Sequence, residues 1–286
     1  MQSQRTDNKY TGYQYSDDGN ESGYESDGKT KYKFKKDLGT GAYAKARLFQ
    51  SEDKQKEKAI LAPLPKSWVD FDEAKAKYSF FQALYPNIGV KLINEPNRNT
   101  YRLVLPFIPG EPYDKLQPDR SNSAQQIELF LYIINALEHC HLTGYVVIDL
   151  NGTNIHYDSS SVKSYLIDGG LSAKEGDMIS SMFYVTQNEA IENRKKWPNI
   201  APECWSTKIV MAHSSMDIYS FGRLMERFLS SNGMPIPAAV GQLIESCTDE
   251  DPEKRPTLYR VKLTLKEILS KEHLHTPSNT LTLSSK

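Results

Sequence analysis

Asp149 closes a short apolar run and Asn154 follows five positions later, in the stretch GYVVIDLNGTNIHYD from Gly144 to Asp158. A carboxylate and a carboxamide on one turn between apolar segments are either loop punctuation, satisfying nearby backbone amides, or parts of a site. Nineteen residues after Asp149, the stretch LIDGG sets a second carboxylate, Asp168, at a strand end ahead of two glycines. Asn154 and Asp168 offer the hard oxygen ligands that magnesium takes, and Asp149 is suited to orient or deprotonate a hydroxyl. Upstream, LGTGAYA brings Gly39 and Gly41 together between two β-like runs. Without Cβ atoms their backbone amides can approach phosphate oxygens, although an ordinary hairpin turn accounts equally for the pair.

These residues need elements to position them. From Tyr32 to Leu105 short β-like runs dominate (KYKFKKDL, AKARLFQ, KAIL, GVKLI, TYRLVL). One helical segment interrupts them from about Phe71 to Leu84, with Phe71, Ala74, Tyr78 and Phe81 on one face, and Asp70 with Glu73 as a capping box. After the Pro/Gly-rich link PFIPGEP the periodicity becomes helical. Ile127, Phe130, Ile134, Leu137 and His141 mark one long helix, and Ile218, Phe221, Met225 and Phe228 another. A β-rich lobe, a short link and a helical lobe predict a cleft, a common place for a ligand.

Composition narrows the class. With 286 residues and a net charge of −1, the chain lacks the global basic field expected of a nucleic-acid or anionic-membrane binder. No apolar run approaches the roughly 20 residues that span a bilayer, and MQSQRTDNKY has no secretory hydrophobic core. Cys140, Cys204 and Cys247 are odd in number and far apart, against a disulfide framework or zinc ribbon. A cytoplasmic protein is expected. Residues 1–30 and 271–286 are polar and without apolar period, and are expected to be disordered and flexible tails.

Taken in order, the motifs resemble the eukaryotic-type protein kinases over residues 31–270. HLTGYVVIDLNGTN, from His141 to Asn154, is similar to the catalytic loop, with the family's spacing of five from Asp to Asn. Asp168-Gly169-Gly170 resembles the Asp-Phe-Gly motif, and Ala201-Pro202-Glu203 the Ala-Pro-Glu that closes the activation segment. MDIYSFG, from Met216, is similar to the start of the family's central helix, and DPEKRPT, from Asp251, to a late motif whose arginine, here Arg255, pairs with the glutamate, here Glu203. The resemblance implies an α+β, bilobal fold: a small β-rich N-lobe (31–105), a hinge (106–112) and a mainly helical C-lobe (113–270). It implies ATP and magnesium as cofactors and a protein substrate, with Asp149 catalytic and Asn154 and Asp168 on the metal. Gly39, Gly41, Ala59, the Pro106 carbonyl and the Ile108 amide would contact the nucleotide.

The departures lie on the lysine side. By gapless count from the glycines, Leu61 takes the place of the strand lysine that holds the α- and β-phosphates, and Lys58 falls on the opposite strand face. Lys45 and Lys66 are the candidates to bring an ammonium from another direction; otherwise both are solvated surface lysines. Glu73 stands for the glutamate that pairs with that lysine, or merely caps its helix. Val147 and Ile148 replace the His and Arg before the catalytic Asp, Asn151 the lysine two after it, and Gly169 the Phe. His156 falls on the adenine floor or is a half-buried structural histidine. Since Ile148 cannot read a phosphate, modification of Ser172, Ser180, Ser181, Tyr184 or Thr186 is not expected to act through that position. The readings that follow are an active, divergent Ser/Thr kinase, a pseudokinase that binds nucleotide or a partner without turnover, and a nucleotidyltransferase on the same scaffold. A lone divergent domain with a Ser/Thr-rich tail also fits a bacterial effector delivered into a host cytosol.

Overall fold

Short runs rich in aromatic and aliphatic residues, broken by polar turns, fold the first part of the chain into an antiparallel sheet. The computed structural model describes residues 22–24, 31–40, 44–63, 71–87, 89–95, 100–120, 122–179, 186–206 and 208–275. The chain divides into two compact units, Met1–Ile108 and Pro109–Lys286. In the first, strands β1 (Ser22–Tyr24), β2 (Lys31–Thr40), β3 (Ala44–Ser51), β4 (Glu57–Pro63), β5 (Lys91–Glu95) and β6 (Thr100–Pro106) form one sheet in the order β1-β2-β3-β4-β6-β5. Every neighbouring pair is antiparallel. Tyr32, Phe49, Ile60 and Val104 are buried together on one face. Helix α1 (Phe71–Leu84) has the bounds its periodicity predicts and packs on β5 and β6 through buried Ala74, Phe80, Phe81 and Leu84. Its proposed capping pair, Asp70 and Glu73, lies outside the described residues and side chains.

Two tail expectations need correction. Ser22–Tyr24, placed by composition in a disordered tail, pair with Tyr32 and its neighbours as an added strand. The open edge of β2 offers unpaired N–H and C=O groups, and backbone pairing needs no apolar period to announce it. At the other end a helix runs from Leu258 to His275, into residues expected to form a flexible tail, and its Glu272 accepts a hydrogen bond from Ser123.

The second unit is built on helices α2 (Ser123–Leu142), α3 (Gln187–Lys196), α4 (Ser215–Ser231), α5 (Ala238–Cys247) and α6 (Leu258–His275). Ile127, Phe130, Ile134 and Leu137 of α2 and Ile218, Phe221, Met225 and Phe228 of α4 are buried, as their spacing predicts. Phe130 meets Phe221 and Phe228 edge-on, with ring centroids 6.3 and 5.6 Å apart. Gly222 is required where α4 meets α5: a Cβ there would lie 2.8 Å from the Cys247 and Thr248 side chains. Short strands β7 (Glu111–Pro112), β9 (Ile155–Asp158) and β10 (Lys163–Leu166) form one small sheet, and β8 (Tyr145–Val146) with β11 (Ala173–Lys174) another. They bracket the loop from Val147 to Asn154 on both sides. All three cysteines are buried and form no disulfide. Burial pushes their thiols up, Cys247 to about 12, so none is a ready nucleophile. Among the described residues no helix is long and apolar enough to cross a membrane.

Candidate active site

The site in the second unit is organised from beneath by Asp217, at the start of α4 and fully buried. Its carboxylate accepts the backbone N–H groups of Val147 (2.9 Å) and Ile148 (2.8 Å) and faces His141 Nε2 at 2.8 Å. Burial alone would lower the His141 pKa, but the hydrogen bond to Asp217 and its negative charge outweigh it, and the imidazole is held above its usual value. Ile148 sits at φ 66°, a left-handed conformation that a β-branched residue adopts only under constraint. The constraints are on both sides of it: Asp217 takes its N–H, and Ser220 Oγ donates to its carbonyl at 3.2 Å. This turn ends the buried run of Tyr145 to Ile148 and delivers Asp149 half-buried.

Three carboxamides hold Asp149. Its Oδ1 accepts from Asn199 Nδ2 at 2.7 Å and Asn151 Nδ2 at 3.0 Å; its Oδ2 accepts from Asn154 Nδ2 at 3.2 Å. Asn154 Nδ2 also donates to the Asp149 carbonyl at 3.0 Å. Because a carboxylate only accepts, each amide must turn its nitrogen inward. The Asn154 carbonyl oxygen therefore points away, with a donation from Thr153 Oγ1 at 3.2 Å. Ile167 N donates to the Asn154 backbone carbonyl at 3.0 Å, which brings the Asp168 segment alongside Asn154. Asp168 is exposed, and its Oδ1 accepts the Gly170 N–H at 2.8 Å.

The donor set fits a hard, strongly hydrated cation. Asn154 Oδ1 and the Asp168 carboxylate could each offer an oxygen, in keeping with a magnesium ion that takes few protein ligands and the rest from water and phosphate. Among the described residues no group of three or more His, Cys, Asp or Glu could hold a metal, so no all-protein cage competes.

The nucleotide candidates of the first unit are described by their own sheet. Register sets Ala59 opposite Leu105, Leu61 opposite Leu103 and Lys58 opposite Pro106. Lys58 turns to the face of Tyr32, its ammonium 4.7 Å from that ring; burial and neighbouring Lys91 bring its pKa down to about 8. Lys45 is paired with Asp37 at 2.8 Å. Gly39 lies at an irregularity of the β2–β3 pairing with φ 156°, and Ile108 is half-buried beyond β6. Gly41 and Lys66 lie outside the described residues. His156 is half-buried on β9, between Pro112 and Tyr165.

Arg255 and Glu203 form the expected pair. Arg255 Nη1 and Nη2 donate to Glu203 Oε1 and Oε2 at 2.7 and 2.8 Å, and the arginine side chain is fully buried. Of the possible modification positions, Ser172 is buried and donates to the Gly169 carbonyl, while Thr186 caps α3 in a reciprocal box with Glu189. Ser180, Ser181 and Tyr184 lie outside the described residues. Sequence reasoning missed Asn199 altogether: it lies two residues before Ala201, 50 positions from its partner, and no local spacing marks it. It also missed the anchoring role of Asp217, whose polar place at the head of an apolar helix face was the available signal.

No protein-family model matches the chain. The chain is similar to the CBL-interacting serine/threonine-protein kinase 21 of Arabidopsis thaliana, at 26% identity over 197 residues, covering 60% of this chain and 47% of the relative. It thus spans about half the length of the curated relative it matches. The mixed fold, an antiparallel sheet followed by helices, is compatible with that kinase-like relationship.

Proposed function

We propose that the chain is a divergent protein kinase that transfers the γ-phosphate of ATP to a Ser or Thr hydroxyl of a protein, on a bilobal scaffold of N-lobe, hinge and C-lobe. The observation that carries this reading is the Asp149 carboxylate clamped by three carboxamides, one of them from Asn154, whose backbone carbonyl in turn holds the segment that leads to Asp168. A loop that needed only punctuation would not require a buried aspartate to hold Ile148 in a strained conformation beneath it. In this reading Asp149 accepts the acceptor hydroxyl's hydrogen bond and takes its proton as the new O–P bond forms and the β,γ-bridging bond breaks, releasing ADP. Asn154 and Asp168 would hold magnesium, which when bound neutralises phosphate charge. Ala59, the Pro106 carbonyl and the Ile108 amide would line the adenine.

One observation favours a second reading, a pseudokinase. Leu61 stands where a phosphate-holding lysine is expected, Lys58 lies on the other strand face, and Lys45 is engaged by Asp37. Loss of that cation lowers catalysis more than it lowers binding, because charge stabilisation carries most of phosphoryl transfer.

ATP labelled separately on the α- and γ-phosphates distinguishes kinase, nucleotidyltransferase and pseudokinase by the label that reaches protein, or by none. In parallel, Asp168→Ala is expected to weaken magnesium-dependent binding of an ATP analogue. Asp149→Ala should leave binding within about twofold and lower turnover by about 100-fold or more. Equal loss of folding in both, with no selective loss of binding, refutes the metal assignment.

A further inference from the structure

We infer that Asn199 is the positioning residue of the catalytic carboxylate, an assignment that rests on the kinase reading above. Its Nδ2–Oδ1 contact of 2.7 Å is the shortest of the bonds that the three carboxamides make to Asp149. The other two belong to Asp149's own loop. Asn151 Oδ1 is itself fixed by the Thr153 N–H and hydroxyl, and Asn154 divides one nitrogen between the Asp149 carbonyl and Oδ2. Asn199 comes instead from the segment that follows α3, and that segment is firmly seated. Ile200 and Ala201 are buried in a cluster with Val146, Ile148 and Met216. Trp197 stacks on Trp205 with centroids 5.6 Å apart, and Ile200 N donates to the Trp197 carbonyl at 3.1 Å.

The consequence is a carboxylate whose rotation is set from two directions. Asn151 and Asn199 together hold Oδ1, so Oδ2, which keeps only the longer bond to Asn154, is the oxygen presented to a hydroxyl. Asn199 also ties the seating of residues 197–201 to the geometry of Asp149 without any phosphate. This suits a loop whose Ile148 is buried and has no side-chain donor to read one.

The test is steady-state kinetics of wild type, Asn199→Ala, Asn199→Gln and Asp149→Ala, with thermal melts of each. Asn199→Ala is expected to lower kcat by roughly 10- to 100-fold while KM for ATP stays within about twofold, because the bond acts on the transition state through Asp149. Asn199→Gln, which keeps a donor, should regain part of that loss. The double variant with Asp149→Ala should be no slower than Asp149→Ala alone, because Asn199 acts only through that carboxylate. An active wild type with an Asn199→Ala kcat within about twofold of it overturns the inference alone. A parallel fall in melting temperature and kcat with no regain in Asn199→Gln also overturns it, by making the residue merely structural. A wild type that transfers no phosphate overturns the kinase reading and the inference with it, and the two failures are told apart by that control.

Discussion

Replacing Arg255 by alanine tests the architecture under the site most directly. The guanidinium makes a two-pronged pair with Glu203 at 2.7 and 2.8 Å, donates through Nε to the Asp249 carbonyl at 2.8 Å, and donates through Nη1 to the Ser215 carbonyl at 3.1 Å. It also lies 5.0 Å from the centre of the Tyr219 ring. The arginine side chain is wholly buried and the Glu203 side chain is only 20% exposed, so truncation strands a carboxylate that water reaches poorly, beside two carbonyls without their donor. Breaking one partner of such a buried pair costs about 3–5 kcal/mol. For a unit of this size each kcal/mol moves the midpoint by about 2–4 °C, so a fall of about 6–20 °C is expected in a thermal melt. Arg255→Lys should recover little, because a single ammonium cannot serve two carboxylate oxygens and two carbonyls at once. The Glu203→Ala, Arg255→Ala double variant should lose less than the sum of the single losses, since each single change strands the other charge. A shift under about 2 °C in Arg255→Ala, or strict additivity, would refute the reasoning and return the pair to the worth of a solvated ion pair, about 0–1 kcal/mol.

Asp217→Asn is expected to destabilise the second unit by about 2–4 kcal/mol, because a carboxamide has one acceptor oxygen for two backbone N–H groups and turns its own N–H₂ towards the other; urea unfolding with an unchanged m-value and a loss under about 0.5 kcal/mol would contradict this. His141 adds a pH dependence whose sign is fixed by its raised pKa. Its contribution is fully present below the unfolded-state value near 6.5 and is lost as pH rises from there through the folded value. The stability of wild type relative to His141→Gln, measured by denaturant titration from about pH 6 upward, should therefore decline with rising pH, and a flat or rising difference counts against it.

Much of this protein was legible because its signals are local. The periodicities of α2 and α4 name residues that each helix buries, since a helix face is set by spacing, whereas on α1 the spacing finds Ala74 and Phe81 but misses Phe80 and Leu84. Asp149 and Asn154 share one turn, so five residues of sequence are enough to bring their side chains together. The turning of Lys58 away from the face expected for the phosphate-holding lysine follows from the two-residue repeat of a strand. The pairing of Glu203 with Arg255, 52 positions apart, was legible only through a resemblance, because nothing in the spacing of two charges says that they meet.

What only the tertiary structure decided are the contacts made by backbone groups and by residues far apart in the chain. Ser22–Tyr24 join the sheet through main-chain bonds, to which composition is blind. Asp217 reaches back 70 positions to two amide hydrogens, and those bonds, rather than any preference of isoleucine, hold Ile148 at a positive φ. Asn199 meets Asp149 only because Ile200 and Ala201 are drawn into an apolar cluster beside Ile148. The sequence by itself determined which residues carry oxygens and nitrogens suited to a site, and on which turn or strand each stands. Which way each amide faces, and which carboxylate oxygen is left for a hydroxyl, depends on hydrogen bonds between elements that burial of apolar side chains brings together, and no local pattern encodes that.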